Sequence, residues 1–235
     1  MSLTFNGTNG NTLGCIVERY PDRAMPERLV DSVRVPGRNG NLTRKQGYGN
    51  VALSYEVYFS GELTGMQTVA DAVAGWLLSP SGYCRLEDSY DPNVYRMAQY
   101  IGPVDVANYI NKFGRVTLTF DAMPQRWLKT GETPTAYVDG DTITNPTTEI
   151  ALPIIQLTGS GNVSISLGGA TLDIAGLSGD MTIDCDTQNC YDGGTNLNGI
   201  VTRTNGFPSL APGANTLGVT GTVSSLTITP RWWRP

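Results

Sequence analysis

The chain has 235 residues, with 28 glycines, 14 prolines, four cysteines, no histidine and a formal net charge of −5. The missing histidine removes the usual general base near neutral pH, the Ser-His-Asp and Cys-His arrangements, and imidazole metal sites. The negative charge disfavours a polyanion over any uniform surface, so nucleic acid is not an expected partner, and only a local basic patch is left open.

The N-terminal MSLTFNGTNG has no basic-then-apolar run, and no stretch of about 18 apolar residues occurs anywhere, so neither a secretion signal nor a membrane span is expected. Next comes VRVPGRNGNL (33–42). Gly37-Arg38-Asn39-Gly40 formally fits the GxxG loop of a KH domain, which grips nucleic-acid backbone between two helices. Both flanks here look extended, and Pro36-Gly37 and Asn39-Gly40 are turn dipeptides, so a hairpin turn is the favoured reading over a ligand grip.

In 51–59, VALSYEVYF, strict alternation puts Val51, Leu53, Tyr55, Val57 and Phe59 on one face and predicts a half-buried antiparallel strand. In 64–79 the apolar residues Met66, Val69, Ala70, Val73, Trp76 and Leu77 recur at helical spacing, with Thr64 as N-cap and Ser79-Pro80-Ser81-Gly82 as stop. This is the one expected helix, with a stripe that lies on a sheet. CRLEDSYDPNVYRMAQYIG then gives a strand, an Asp-Pro turn and a second strand, and FGRVTLTFD (113–121) returns to alternation.

A first domain is expected over 1–130 and a linker over 131–144, within a Thr-, Pro-, Gly- and Asp-rich stretch (129–149) suited to a surface crossing. From 145 to 235 the chain reads as short β segments separated by turns, IALPIIQLTGSG, NVSISLGG, ATLDIAG, MTIDCDT, GANTLGVTG and VSSLTITP. That pattern predicts a β-sandwich of jelly-roll type. The expected class is therefore mainly β, an N-terminal sandwich or split-barrel-like domain with one helix followed by a second sandwich.

Candidate chemistry is sparse. Cys15, Cys84, Cys185 and Cys190 have no CxxC spacing and read as ordinary thiols, although Cys185 and Cys190 could meet across a tight turn. The carboxylate pairs Asp88/Asp91 and Asp184/Asp186 are better suited to turns and solvated faces than to glycosidase work. Residues 184–188 begin like a calcium loop, but the central glycine and terminal glutamate are out of register. In the terminal PRWWRP, Trp232 and Trp233 are candidate partner contacts. Adjacent strand residues point to opposite faces, so one is expected to pack and the other to meet a partner. No catalytic residue, metal ligand or cofactor site can be assembled, and a binding or assembly part is the natural reading.

Taken in order, Phe5-Asn6-Gly7, VPGRNG (35–40), the helix ending in Trp76-Leu77, DSYDPNVY (88–95) and VTLTFDAMPQRW (116–127) resemble the distal tail protein family of long-tailed bacteriophages and prophages. The resemblance continues through Asn145-Pro146-Thr147, Pro153-Ile154-Ile155, Gly159-Ser160-Gly161, Ile183-Asp184, FPSLAPGANTL (207–217) and Thr229-Pro230-Arg231. It implies a structural virion protein of the tail tip, assembled in the host cytoplasm. Its first domain would form a six-membered ring and its second a galectin-like sandwich on the outside. Implied partners are further copies of itself, the tail tube and terminator proteins, the tail-associated hub protein and receptor-binding proteins. Pro36, Gly37, Arg38, Asn39 and Gly40 are then the candidate ring interface, with Arg38 either a polar anchor or a solvated tip residue. The other function weighed is a lectin-like module that contacts the host surface. It lacks the family histidine of galectins and shows no matching Asn-Arg-Trp-Glu series.

Overall fold

A computed structural model describes residues 1–21, 25–60, 66–102, 107–109 and 113–235. The chain divides into two units, residues 1–126 with the terminal Pro235, and Trp127–Arg234. Strands dominate both, and α1 (Met66–Leu78) is the one α-helix among the described residues.

The first unit contains β1 (Leu3–Phe5), β2 (Thr8–Asn9), β3 (Cys15–Arg19), β4 (Arg28–Arg34), β5 (Asn41–Tyr48), β6 (Val51–Ser60), β7 (Cys84–Asp88), β8 (Val94–Tyr100), β9 (Ala107–Tyr109) and β10 (Phe113–Ala122). Its main sheet runs β2-β1-β7-β8-β10-β6-β3, with β9 on β10, and every pairing in it is antiparallel. At the first turn Asn6 and Gly7 take positive φ (48° and 78°) between the pairs Phe5↔Thr8 and Thr4↔Asn9. This is the two-residue Asn-Gly hairpin whose backbone twist matches the strands.

The alternation of β6 is realised residue for residue. Val51, Leu53, Tyr55, Val57 and Phe59 are buried, while Ala52, Ser54 and Glu56 are exposed. The buried stripe meets Val69, Val73, Trp76 and Leu77 of α1 in one core, where the Trp76 indole N–H donates to the Phe5 carbonyl at 2.9 Å. Burial of an aromatic with a polar tip requires such a partner. Thr64, the expected N-cap, lies outside the described residues.

The second unit holds β11 (Arg126–Leu128, which begins one residue earlier), β12 (Thr135–Ala136), β13 (Thr142–Asn145), β14 (Ile154–Leu167), β15 (Ala170–Asp184), β16 (Asn189–Asp192), β17 (Thr195–Asn196), β18 (Val201–Thr204), β19 (Gly213–Thr216), β20 (Gly218–Thr229) and β21 (Trp233–Arg234). The large sheet runs β12-β20-β14-β15-β16-β17 with β18 on β15, and β13 pairs β19 separately. The inward rows of β14, β15 and β20 bury Ile155, Leu157, Ile165, Leu172, Ile174, Ile183 and Ile228. Ile143 of the small sheet joins this apolar core, and the same sheet also buries the side chains of Asn145 and Asn215.

Two features depart from the expected pattern. The stretch expected as linker, 131–144, supplies β12 and most of β13, because Thr135↔Ile228 and Ile143↔Asn215 register it onto the second unit and bury Ile143. The segments IALPIIQLTGSG and NVSISLGG join into one long β14, and ATLDIAG and MTIDCDT join into β15. All four cysteines are free, and burial pushes the Cys15 and Cys185 thiols up to about 12 and Cys190 to about 11. Thiols held protonated in this way are inert packing groups rather than nucleophiles.

Candidate functional site

The loop 35–40 joins β4 to β5, which among the described residues pair only with each other, from Arg28↔Tyr48 to Arg34↔Asn41. Arg38 N–H donates to the Val35 carbonyl at 3.2 Å, and Gly37 has φ +78°. Proline at the second position and a left-handed glycine at the third are the requirements of a type II turn. Asn39 has no positive φ, so Asn39-Gly40 does not make the two-residue hairpin that Asn6-Gly7 makes. The tip is a six-residue loop, with Pro36, Gly37, Arg38, Asn39 and Gly40 all exposed. Both flanks are strands, so the helix-bounded GxxG reading fails.

Every residue of β4 and all of β5 but Tyr48 is exposed, on both faces of the ribbon. Leu29, Val30, Val33 and Leu42 stand 43%, 45%, 59% and 45% exposed. An isolated two-stranded ribbon is at best marginal in water. Asn41 Nδ2 donates to Ser32 Oγ at 2.8 Å, the Gln46 amide to Asp31, and Arg28 lies over the Tyr48 ring.

The root of the ribbon is better held. Gly49 N–H donates to the Glu27 carbonyl at 2.8 Å, closing the two strands. Asn50 Nδ2 donates to Asp121 Oδ2 at 2.9 Å, an oxygen that also accepts from Tyr83 at 2.7 Å and Gln99 at 3.2 Å. Desolvation raises the Asp121 pKa, but the bonds from Tyr83, Asn50 and Gln99 outweigh it, and the net direction is down. The carboxylate therefore stays ionised and fixes where the ribbon leaves the sheet.

At the C-terminal end Trp232 is only 7% exposed and packs in the second core, so it offers a partner no surface. Trp233 is half-buried, donates from its indole N–H to the Ile150 carbonyl at 2.9 Å and lies 6.5 Å from the Trp127 ring. A Cβ on Gly131 would stand 2.4 Å from the Trp232 nitrogen, so only glycine admits the tail here. Arg231, at φ +56°, donates to the Leu152 carbonyl at 2.6 Å and to Asp184 at 2.9 Å.

Asp184 is thus a clamp for the tail rather than half of a catalytic pair. Desolvation raises its pKa, and the Asp186 N–H, the Arg231 charge and Thr187 lower it further than that, for a net depression. A depressed native pKa gives stability that is complete above the ordinary carboxylate value and is lost as pH falls through the native one. Asp184→Asn is expected to cost about 1–2 kcal/mol at neutral pH and to flatten the loss of stability below about pH 4. Urea midpoints measured along a pH series check both effects.

The other sequence candidates resolve into turns. Asp88 Oδ1 accepts the backbone N–H groups of Tyr90 and Asp91 at 3.0 Å each, and its other oxygen takes the Tyr55 hydroxyl at 2.9 Å. Val94 N–H closes on the Asp91 carbonyl at 3.2 Å, the turn that Asp91-Pro92-Asn93 predicts. A small cleft of about 70 Å³ beside Asp88 and Arg96 has room for a few waters. On the outer face of the second unit a shallow groove of about 260 Å³ is lined by Asn162, Ser164, Asp173, Thr202 and Thr220, without an aromatic ring. Among the described residues no group of three or more His, Cys, Asp or Glu could hold a metal, and no helix is long and apolar enough to cross a membrane.

No family model matches the sequence, and no curated protein matches it. Solved structures do. The fold is similar to that of the SPP1 Dit protein, described as a paradigm of the hub adsorption apparatus in phages that infect Gram-positive hosts. That match has a TM-score of 0.70 at 15% identity and covers 98% of each chain. The phage P2 baseplate in its activated conformation with Ca matches with a TM-score of 0.51 at 12% identity, covering 93% of this chain and 90% of that one. At these identities the likeness is one of fold, and with the SPP1 protein it extends over nearly the whole of both chains.

Proposed function

We propose that this chain is a structural protein of a phage tail tip, six copies of which close into a ring at the distal end of the tail tube. The tube and its terminator lie on one side of the ring and the tail-associated hub protein on the other. The second unit lies outward, towards receptor-binding proteins, with Trp233 and the exposed Ile150 beside it as contact surface. Assembly takes place in the host cytoplasm before the virion is complete, and no catalysis is involved.

The observation that carries this reading is the β4–β5 ribbon, exposed on both faces yet bearing four apolar side chains. Such a ribbon gains the burial it lacks when a neighbouring copy covers it. The whole-chain likeness to a tail-hub fold supports the same reading. Carbohydrate binding is the weaker alternative, because the groove of about 260 Å³ lacks the aromatic platform on which sugars stack, and Arg203 already lies over Phe207, the ring of a smaller cleft of about 100 Å³.

Native mass spectrometry of the purified chain tests the ring directly, with six copies the expected mass. Arg38→Ala, at the tip of the ribbon, is expected to weaken the assembly about tenfold, the equivalent of about 1.4 kcal/mol. A strictly monomeric chain at high concentration would sink the ring, and an unchanged ring in the variant would reduce Arg38 to a solvated tip.

A further inference from the structure

Acids outnumber cations in the second unit, and Arg231 lies against two of them, Asp184 at 2.9 Å and Asp186 at 3.9 Å. Arg203, on β18, lies against none. Among the described residues it makes no hydrogen bond or ion pair, and its guanidinium carbon rests over the Phe207 ring, 5.4 Å from the centroid. A guanidinium on a ring keeps its N–H donors in its own plane, pointing sideways, so the ring fixes the fork without taking a donor. Arg203 and Phe207 line a cleft of about 100 Å³ together with Gln188, Asn198 and Val201. Asn198 is spent on the wall, where its Oδ1 accepts the Cys190 N–H and its Nδ2 donates to Asn189 Oδ1, both at 2.7 Å. Gln188, a turn residue at φ +55°, has a carboxamide without a partner among the described residues, and no carboxylate lines the cleft. Burial raises the Cys190 thiol and the Arg203 charge acts against that rise, so this charge sits close to β16.

We propose that this cleft is a carboxylate site, and that its occupant is a glutamate side chain on a partner protein. One guanidinium beside one neutral amide matches a single negative charge, and the flat fork meets a flat carboxylate in two parallel bonds. A phosphate carries more than a single charge at neutral pH and would need a second cation, which the cleft lacks. Val201 and Phe207 supply apolar wall for the methylenes of a glutamate. A uronic acid would set ring hydroxyls there instead, and the Phe207 face on which a sugar would stack is already covered. The site belongs to the second unit alone and does not depend on the ring.

Saturation-transfer NMR on the full chain tests this, because it reads the methylene signals of a small probe whatever the size of the assembly. N-acetylglutamate amide is expected to give a saturable signal, and N-acetylglutamine amide, which lacks only the charge, to bind at least about tenfold more weakly. Arg203→Gln, at an exposed position, should lose the glutamate probe to the same degree while its unfolding midpoint stays unchanged. Arg203→Lys keeps the charge without the fork and should fall between the two. A signal that does not saturate, or that persists in Arg203→Gln, would overturn the site. Glucuronate or inorganic phosphate bound more tightly than the glutamate probe would overturn the assignment of its occupant.

Discussion

Phe120→Ala is expected to destabilise the first unit by about 3–5 kcal/mol, the range for removing a fully enclosed aromatic ring. Phe120 has no solvent exposure, and its ring lies edge-on to Phe5, Tyr55 and Tyr100 at 5.2, 6.0 and 5.4 Å. Those three come from β1, β6 and β8, so one truncation loosens four strands of the same sheet. Collapse of the neighbours is restricted. Tyr55 is held by the Asp88 carboxylate, and Phe5 by the Trp76 indole through its own carbonyl. A cavity that cannot close keeps its full cost. Since whole domains have about 5–15 kcal/mol to lose, hydrogen exchange in β6, β8 and β10 should accelerate by orders of magnitude, and a change below tenfold would show that the cluster relaxes into the void.

Much of this sheet was legible because β6 alternates a dry face with a wetter one. Period-2 alternation at 51–59, the 3.6-residue stripe around Trp76 and the Asp91-Pro92 turn each have one physical solution, and the fold adopts it. In the second unit the signal was misleading at the glycines. Gly161, Gly176 and Gly179, all at positive φ, look like breaks between short strands. In the fold they sit inside β14 and β15, and the pairing register shifts between Gly161 and Val163. A glycine in a strand marks a bulge as readily as an end, and composition does not distinguish the two. The polar stretch 131–144 hid β12 and β13 for a related reason, since Thr142, Ile143, Thr144 and Asn145 offer a single apolar side chain to the core.

The candidate site was half legible. The turn VPGRNG is local chemistry and reads directly, down to the proline and glycine that set its geometry. That the whole ribbon stands clear of the core is tertiary information, and Leu29, Val30, Val33 and Leu42 look like core residues in one dimension. Arg34, Arg44 and Lys45 are exposed beside the tip, and a reading centred on the turn passes over them. The signal that finds them is charge counted in a window, five cations and one acid across residues 28–48 of an acidic chain. Of the tail tryptophans Trp232 is buried and Trp233 half-buried, although Trp232 lies outside the strand in which alternation would place it.

Gly168→Ala is expected to destabilise the second unit by about 3 kcal/mol, and the comparison with Gly169→Ala tells why. The two glycines form the turn between β14 and β15, bracketed by the pair Leu167↔Ala170, with φ +62° and +81°. Two positive φ values in a two-residue turn define the hairpin type that right-twisted strands prefer, so both positions carry the left-handed cost of about 1–2 kcal/mol for a side chain. Only Gly168 also faces a neighbour. A Cβ there would stand 1.9 Å from the Ser209 carbonyl oxygen, whereas one on Gly169 meets nothing within 4 Å. Backbone cannot rotate away as a side chain can, so the Ser209 segment must move, and Leu210 beside it is fully buried and bonded to Ala151 in both directions at 2.8 and 3.0 Å. Chemical denaturation of the two variants separates the causes. Gly169→Ala should lose only the conformational part, and Gly168→Ala should lose that and the cost of displacing 209–210. Equal losses would mean that the Ser209 segment yields freely, and that the junction between the large sheet and the Ala151–Leu210 bridge is softer than its hydrogen bonds imply.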